Sequence, residues 1–241
     1  MRIEVLYNEY MNLYGDTGNI EYLKQCLGSK AEFVYTSLNE KPKFLTEDTS
    51  LLYLGPCTEN HQEEIINILM PYRDEIKEKI EEGLVVLATG NAIEIFGKYI
   101  EKTDKSVIKA LSVFNVYAVR VSDYRYNELC LGKMKEGIKL VGFKNQMSHL
   151  YGNDKKSFQT MLLGTGRNKD MKIEGIRYKN FYGTYLLGPV LPLNPPFAKM
   201  LLKQIGIDNP KIQFEDVATR AYEVRVNEFE SLLAKTGDKR S

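Results

Sequence analysis

Thiols and imidazoles are the side chains of this chain best suited to nucleophilic or general-base chemistry, and they are few. The 241 residues include three cysteines, Cys26, Cys57 and Cys130, and two histidines, His61 and His149. The cysteines are odd in number and lack C-x-x-C spacing, which argues against a disulfide framework and a structural zinc site. We therefore expect reduced thiols, no metal site and no cofactor.

A strand that turns sharply into a helix is where α/β enzymes display a nucleophile, and residues 84–92, L-V-V-L-A-T-G-N-A, have that pattern. Such a turn places one side chain against the positive end of the following helix, which favours a thiolate or a developing oxyanion. The residue at the turn is Gly90, which has no side chain to present. No cysteine occurs between Val85 and Tyr99.

A second place for thiol chemistry is the end of the third predicted strand, where His61 follows Cys57 by four residues. A relocated dyad built from this pair would support hydrolysis or group transfer. The plainer interpretation is that Cys57 is a small apolar residue at a strand end and that His61 is an exposed residue at a helix start. The placement of the two side chains decides between these interpretations.

Four short aliphatic or β-branched runs must position these residues, and helical patterns lie between several of them. The runs are residues 3–7, 32–36, 51–55 and 84–88. This alternation is typical of a parallel sheet with crossover helices. It predicts ligand binding beyond the carboxyl ends of the strands, where the loops around Gly55, Gly90 and Leu187 would meet.

Helix boundaries are marked by caps and breakers. The first helix is predicted to start at 17–19, with Asp16 or Thr17 as its cap, and to stop at Gly28. A second helical pattern covers 59–82 and should be interrupted at Pro71.

The second half of the chain has a different pattern. Between Val116 and Phe143, shorter strands separated at Asp123, Asn127 and Gly132 are expected as antiparallel additions to the sheet. Two prolines at 195–196 should open a helix, since proline suits a first turn. A last amphipathic helix is predicted over 217–233.

Composition limits the classes of function. Lysine plus arginine total 33 against 32 aspartate plus glutamate, so no broad basic face for nucleic acid is expected. The first residues enter a strand pattern directly, and no apolar run reaches membrane-spanning length. We expect a cytoplasmic protein without membrane insertion, with a single domain over 1–234 and a frayed tail over 235–241.

Four segments resemble the motifs of one family. Residues 178–194, Y-K-N-F-Y-G-T-Y-L-L-G-P-V-L-P-L-N, resemble Y-K-N-x-x-G-T-Y-L-H-G-P-x-L-P-x-N. Residues 11–20 resemble L-N-L-Y-x-D-x-G-N-I, residues 87–97 resemble L-A/T-x-C-G-G-Y-Q-x-L-G, and residues 141–145 resemble V-G-F-E-N. The chain is similar to class I glutamine amidotransferases of the cobyric acid synthase type, with the closest likeness to glutaminase subunits of lipid II isoglutaminyl synthases.

The resemblance implies a flavodoxin-like α/β fold with three layers, α/β/α, and a mostly parallel central sheet with antiparallel edge additions. In the family, a thiolate attacks the glutamine amide, a histidine moves its proton, and backbone N–H groups hold the oxyanion. The likeness places Gly90 at the cysteine and Leu187 at the histidine. The loop after the third strand contains Pro56, which has no N–H to donate. We therefore expect no catalytic residues for glutamine hydrolysis.

Other parts of the family's site are retained. The resemblance makes Asp16 a candidate for a third catalytic partner, although the G-D-T-G run is also good turn and cap chemistry. It assigns Gly55, Asn91 and Arg125 to substrate binding. Arg125 is equally consistent with an outward strand residue stacked on aromatic rings.

The leading hypothesis is a glutamine amidotransferase-like protein without glutaminase activity that acts as a binding or regulatory subunit. The resemblance implies a Mur-ligase-like or other synthetase partner, which amidates either a cell-wall precursor such as lipid II or a corrinoid. One alternative is an active amidotransferase or hydrolase that uses Cys57 and His61. Another is a receptor for glutamine or a different small molecule.

Overall fold

The computed structural model describes residues 1–122, 124–152 and 156–237, and a six-stranded sheet lies at its centre. In spatial order the strands are β13 (Ile176–Tyr178), β14 (Phe181–Thr184), β4 (Val85–Thr89), β3 (Leu51–Leu54), β1 (Arg2–Leu6) and β2 (Glu32–Thr36). Neighbours pair in parallel except β13 and β14, which are antiparallel. The predicted mostly parallel sheet with an antiparallel edge addition is confirmed.

Alternate residues of the central strands contribute to two different apolar cores, one on each face of the sheet. Leu52 and Val86 belong to one core, whereas Leu51 and Val85 belong to the other. Because successive side chains of a strand face opposite sides, a sheet that is apolar at every position must be covered on both faces. The three-layer α/β/α arrangement is therefore confirmed.

Helices provide the two outer layers. Their bounds are α1 (Gly18–Leu27), α2 (Glu59–Leu69), α3 (Arg73–Glu82), α4 (Ala92–Ile95), α5 (Val190–Leu193), α6 (Pro195–Gln204) and α7 (Glu215–Gly237). The interruption predicted at Pro71 is a short 3-10 turn between α2 and α3. Gly83 then closes α3 with a φ of +104°, the left-handed conformation that ends many helices.

The strands between residues 99 and 174 form two further four-stranded sheets. One has the order β10 (Ser148–Gly152), β7 (Val116–Arg120), β5 (Tyr99–Glu101), β6 (Val107–Lys109); the other has the order β12 (Ile173–Glu174), β11 (Gln159–Leu163), β8 (Tyr126–Lys133), β9 (Lys139–Gln146). The expectation that residues 116–143 extend the central sheet is therefore wrong.

The strand breaks predicted at Asn127 and Gly132 are also wrong, because both residues lie inside β8. The side chain of Gln159, on the adjacent β11, occupies the space beside Gly132 that a Cβ would enter. Asp123 lies outside the described residues.

The C-terminal part confirms the helix predicted to open at Pro195, which is α6. The last predicted helix is α7, which ends at Gly237. The start of the segment predicted to fray, 235–237, is therefore helical. Residues 238–241 lie outside the described part of the chain. Across the residues that the structure describes, no helix has the length and hydropathy needed to cross a membrane.

Candidate functional site

Three loops meet beyond the carboxyl ends of the central strands and line a cavity of about 590 Å³. Pro56 follows β3, Gly90 follows β4 and Leu187 follows β14. Two backbone hydrogen bonds pair Leu187 with Phe143 of β9. The Leu187 N–H donates to the Phe143 carbonyl at 2.9 Å, and the Phe143 N–H donates to the Leu187 carbonyl at 3.3 Å. This pairing holds the sheet that contains β9 against the strand ends, so the cavity lies where the sequence predicts binding.

The turn after β4 has no room for a side chain. Gly90 has a φ of +57°, a conformation that favours glycine. A Cβ atom built on Gly90 would lie 2.6 Å from Cβ of Pro56 and 3.4 Å from Cδ2 of Leu187. The first distance is far below van der Waals contact, so any side chain at this position would require Pro56 to move.

The loop after β3 is held by a side-chain amide rather than left open for an oxyanion. The Cys57 N–H donates to Oδ1 of Asn91 at 3.0 Å, and Nδ2 of Asn91 donates to the Cys57 carbonyl at 2.9 Å. Pro56 contributes no N–H. Position 56 therefore has no backbone N–H, and the N–H of Cys57 is already hydrogen-bonded.

Cys57 lies on the cavity wall but is only 3% exposed. Burial, with a smaller effect of the Glu94 carboxylate, raises the pKa of its thiol to about 12. His61 approaches Oγ1 of Thr58 with its Nδ1 at 3.1 Å and packs its ring against Tyr10, with 4.3 Å between centroids. Among the hydrogen bonds of the described residues, none joins the Cys57 thiol to the His61 ring. This arrangement favours the plainer interpretation of both residues.

Asp16 is buried and bonded to side chains from three elements. Its carboxylate accepts hydrogen bonds from the hydroxyls of Tyr53 and Thr89 and, at 3.1 Å, from Nδ2 of Asn19. Thr17, one of the two predicted caps, is the N-cap residue of α1, although no side-chain hydrogen bond caps the helix. The other predicted cap, Asp16, directs its carboxylate to Tyr53 and Thr89 instead. Burial raises the pKa of Asp16 to about 6, although the three donors act in the opposite direction.

The cavity lining does not include Asp16, so its part as a third catalytic partner stays a prediction. Of the three residues assigned to substrate binding, Asn91 and Arg125 line the cavity. Gly55 instead lies against the backbone carbonyl of Met11. Arg125 directs Nη2 toward the sulfur of Met147 at 2.8 Å. The roles of Gly55, Asn91 and Arg125 in substrate binding remain predictions.

Sequence reasoning missed a hydrogen-bonded network on the cavity wall, centred on Glu94. The carboxylate is 1% exposed and accepts hydrogen bonds from the Ser148 hydroxyl, from the Tyr185 hydroxyl at 2.9 Å and from Nε2 of Gln62 at 3.0 Å. Burial raises the pKa of Glu94, while these donors act to lower it. The network keeps a carboxylate buried at the side of the cavity.

Arg120 extends this network toward solvent. Its Nη2 donates to Oε1 of Gln62 at 2.9 Å, and its Nη1 pairs with Glu63 at 2.9 Å. The sequence signal for the network was an acidic residue inside the apolar run A-I-E-I-F at 92–96. A charge in such a run on a buried element requires partners.

Two acceptors beside this network have no partner. Asn145 and Gln146 line the cavity, and Oδ1 of the first and Oε1 of the second are buried without a hydrogen bond. Buried polar atoms are normally paired, so these two are suited to meet N–H donors of a bound molecule. Within the described ranges, no group of three or more His, Cys, Asp or Glu side chains is placed to hold a metal ion.

Curated relatives match the chain over most of its length. It is 26% identical over 230 residues to subunit GatD of the glutamine-hydrolyzing lipid II isoglutaminyl synthase of Streptococcus pneumoniae, covering 91% of this chain and 88% of that protein. It is 27% identical over 209 residues to the corresponding GatD subunit of Staphylococcus aureus, covering 86% and 85%.

Solved structures share the fold at low sequence identity. The structure of PurLQS from Thermotoga maritima matches with a TM-score of 0.57 and 13% identity, over 85% of this chain and 96% of that one. A glutamine amidotransferase from Thermotoga maritima matches with a TM-score of 0.55 and 16% identity, over 98% and 97%. The predicted class I glutamine amidotransferase fold is confirmed.

The family suggested by the motifs is confirmed by a match over most of the chain. Residues 2–195 match the CobB/CobQ-like glutamine amidotransferase domain. Two GatD subunits align across both the strand-end loops and the segment that follows β13. This protein therefore belongs to the CobB/CobQ-like glutamine amidotransferase family.

Proposed function

We propose that this chain is a glutamine amidotransferase-like subunit that lacks glutaminase activity and acts as a binding or regulatory subunit. One observation carries the proposal: Pro56 and Leu187 fill the space that the side chain of a nucleophile would need at Gly90. Covalent hydrolysis of glutamine requires a thiolate at this turn. A glutamine molecule in the cavity would meet two apolar side chains there.

The surroundings of the turn support the same conclusion. Leu187 cannot accept or deliver a proton, and the Cys57 N–H is already bonded to Asn91. Removing one oxyanion donor costs on the order of 3 kcal/mol of transition-state stabilisation. The loss of nucleophile and base together removes the mechanism, since these residues act as a unit.

The partner is proposed from the relatives. Both GatD proteins are named as subunits of a glutamine-hydrolyzing lipid II isoglutaminyl synthase. We propose that this chain, with a single domain over 1–234, likewise accompanies a Mur-ligase-like or other synthetase subunit. Amidation of a cell-wall precursor is the favoured context, and a corrinoid synthetase is the other branch of the family.

A glutaminase assay tests the proposal. The purified chain is incubated with L-glutamine, with and without a Mur-ligase-like synthetase subunit as candidate partner, and glutamate is measured by chromatography. We expect no release above that of the Cys57→Ser variant. Glutamate formation that rises with the concentration of the unmodified chain and disappears in Cys57→Ser would instead establish the relocated thiol as a nucleophile.

The cavity favours one further candidate, a small-molecule receptor. Arg125 is exposed and lines the cavity, as do Asn145 and Gln146, whose buried side-chain oxygens have no hydrogen bond. This set suits a ligand with an anionic group and N–H donors. Calorimetry with glutamine, glutamate and nucleotides, repeated on Arg125→Ala, distinguishes a receptor from a subunit whose cavity binds none of them.

A further inference from the structure

Helix α7 has two apolar faces. Val226 and Phe229 are buried and pack with Leu131 and Val141 of the β8–β9 sheet. The opposite face exposes four large apolar side chains, Phe214 just before the helix at 67%, Val217 at 69%, Val224 at 53% and Leu232 at 42%. One apolar stripe suffices to join a helix to its own core, so the second indicates an interaction surface.

The exposed residues follow the spacing of a helix–helix seam. Phe214, Val217, Ala221 and Val224, here called the α7 stripe, are separated by three, four and three residues. This is the spacing at which side chains of one helix pack against another. The match to the family model ends at residue 195, before α7 begins, so the stripe lies outside the segment that defines the family.

The first part of the α7 stripe forms one wall of an apolar groove of about 520 Å³. Gly18, Glu21, Tyr22 and Gln25 of α1 line the other side, together with Pro189 and Pro192. A hydrophobic groove beside an exposed stripe of this spacing is the shape that receives an amphipathic helix.

The backbone at the start of the groove is strained. Phe214 has a φ of +55°, which is a genuine outlier for a bulky residue. The turn is attached to α1, because the Tyr22 hydroxyl donates to the Gln213 carbonyl at 3.2 Å and the Gln213 N–H donates to the Cys26 sulfur at 3.4 Å. The ring of Phe214 is thereby fixed in an exposed position. Strain that is held in place by surrounding contacts is characteristic of functional segments.

Charges beside the α7 stripe identify the partner's chemistry. The helical spacing places Arg220 on one side of the stripe and Arg225 on the other, and neither has an ion pair among the residues described. Two acidic residues beside the groove are paired, Glu215 with Lys199 and Glu21 with Lys24, whereas Glu228, one turn beyond Val224, has no ion pair among the residues described. Acidic residues on a partner would meet two available guanidinium groups.

We propose that the groove between α1 and α7 binds an amphipathic helix of a partner protein, whose apolar stripe is flanked by aspartate or glutamate. A second copy of α7 fits less well. The stripe of a second copy is itself flanked by Arg220 and Arg225, so it does not bring the carboxylates with which these guanidinium groups would pair. The surface lies outside the cavity residues, so it is independent of the glutaminase question.

Two designed peptides test this surface on the full chain. Both are 21-residue helices with leucine at the seam positions, one flanked by glutamate and the other by lysine, and binding is measured by fluorescence anisotropy. We expect the glutamate peptide to bind about tenfold more tightly. The double variant Arg220→Glu/Arg225→Glu should reverse this preference, because the attraction depends on the charges beside the stripe.

A second pair of variants tests the apolar contact. Val217→Ser with Val224→Ser should weaken binding of the glutamate peptide by about tenfold, since burial of apolar surface drives helix docking. Val107→Ser, at a residue of β6 that is 54% exposed, is the matched control and should leave binding unchanged. Thermal melting of each variant checks that the fold is retained.

Three results would overturn the proposal. One is equal affinity for the two peptides, or a preference that the arginine double variant does not reverse. Another is a dimer in sedimentation velocity that Val224→Ser abolishes, which would make a second copy the occupant. The third is flotation with anionic vesicles that Val217→Ser abolishes, which would make the face a membrane contact.

Discussion

Two adjacent parts of the cavity differ in chemistry. The corner formed by Pro56, Gly90 and Leu187 is apolar and filled, whereas the wall around Glu94 and Gln62 is polar, buried and hydrogen-bonded. Burying a carboxylate is costly unless its oxygens are paired, so the polar wall persists only because its partners are all in place. The comparison teaches that one cavity can combine a filled apolar corner with a buried polar wall, because the two parts are built from different strand-end loops and different partners.

Glu94→Ala should produce the largest effect. The truncation leaves the donors of Ser148, Tyr185 and Gln62 facing a small cavity, and each buried donor without a partner costs roughly 1–3 kcal/mol. We expect the free energy of unfolding in urea to fall by about 4 kcal/mol. Glu64→Ala, at an exposed position of α2, is the control and should change it by less than about 0.5 kcal/mol. A loss below about 1 kcal/mol for Glu94→Ala would mean that the polar wall does not depend on this carboxylate.

Gly90→Ala tests the closed corner and should have the next largest effect. The added Cβ meets Pro56 in a backbone conformation of φ +57°, so overlap and left-handed strain together should cost about 3 kcal/mol. Gly137→Ala is the matched control, because Gly137 also has a positive φ, +85°, but has open space around its Cβ direction. Gly137→Ala should lower the free energy of unfolding by about 1 kcal/mol in the same urea titration. Equal losses in the two variants would show that the corner is not filled.

The sequence predicted the central fold because its signals are local. Aliphatic runs, the interruption at Pro71 and the helix closed at Gly83 depend on neighbouring residues alone. The motif around 178–194 added the family, and the convergence of Gly90 with Leu187 followed from the topology of a parallel sheet.

The polar wall could not be predicted in the same way. Glu94 bonds to residues 32, 54 and 91 positions away, and no local pattern specifies such partners. The partners of the Asp16 carboxylate could not be predicted for the same reason. Its turn sequence suits a helix cap, but Tyr53 and Thr89 arrive from elements 37 and 73 residues away and bind the carboxylate instead. Tertiary contacts thus override a local preference.

Asp16→Asn should have a smaller effect that depends on pH. Burial raises the pKa of Asp16 to about 6, so the folded state binds the proton more tightly than the unfolded chain, whose pKa lies near 4. This contribution to stability is fully present below pH 4 and is lost as the pH rises through 6. Between pH 4 and pH 7 the loss amounts to about 2 kcal/mol.

The measurement is the difference in unfolding free energy between the original chain and Asp16→Asn at several pH values. The asparagine variant should lack this decline, since it has no proton to lose. A parallel pH dependence in the two proteins would place the carboxylate in a more hydrated setting than the contacts with Tyr53 and Thr89 indicate.

Thiol labelling should give the smallest effect, and it tests whether the cavity contains a reactive thiol. Burial raises the pKa of both Cys57 and Cys130 to about 12, and both are at most 3% exposed. Only the thiolate is nucleophilic, so iodoacetamide at pH 7 should modify each of them slowly and at similar rates, as followed by mass spectrometry. Cys26 is half-buried and should react first. Selective modification of Cys57 below pH 7 would require a lowered pKa, and the cavity would then contain a reactive thiol.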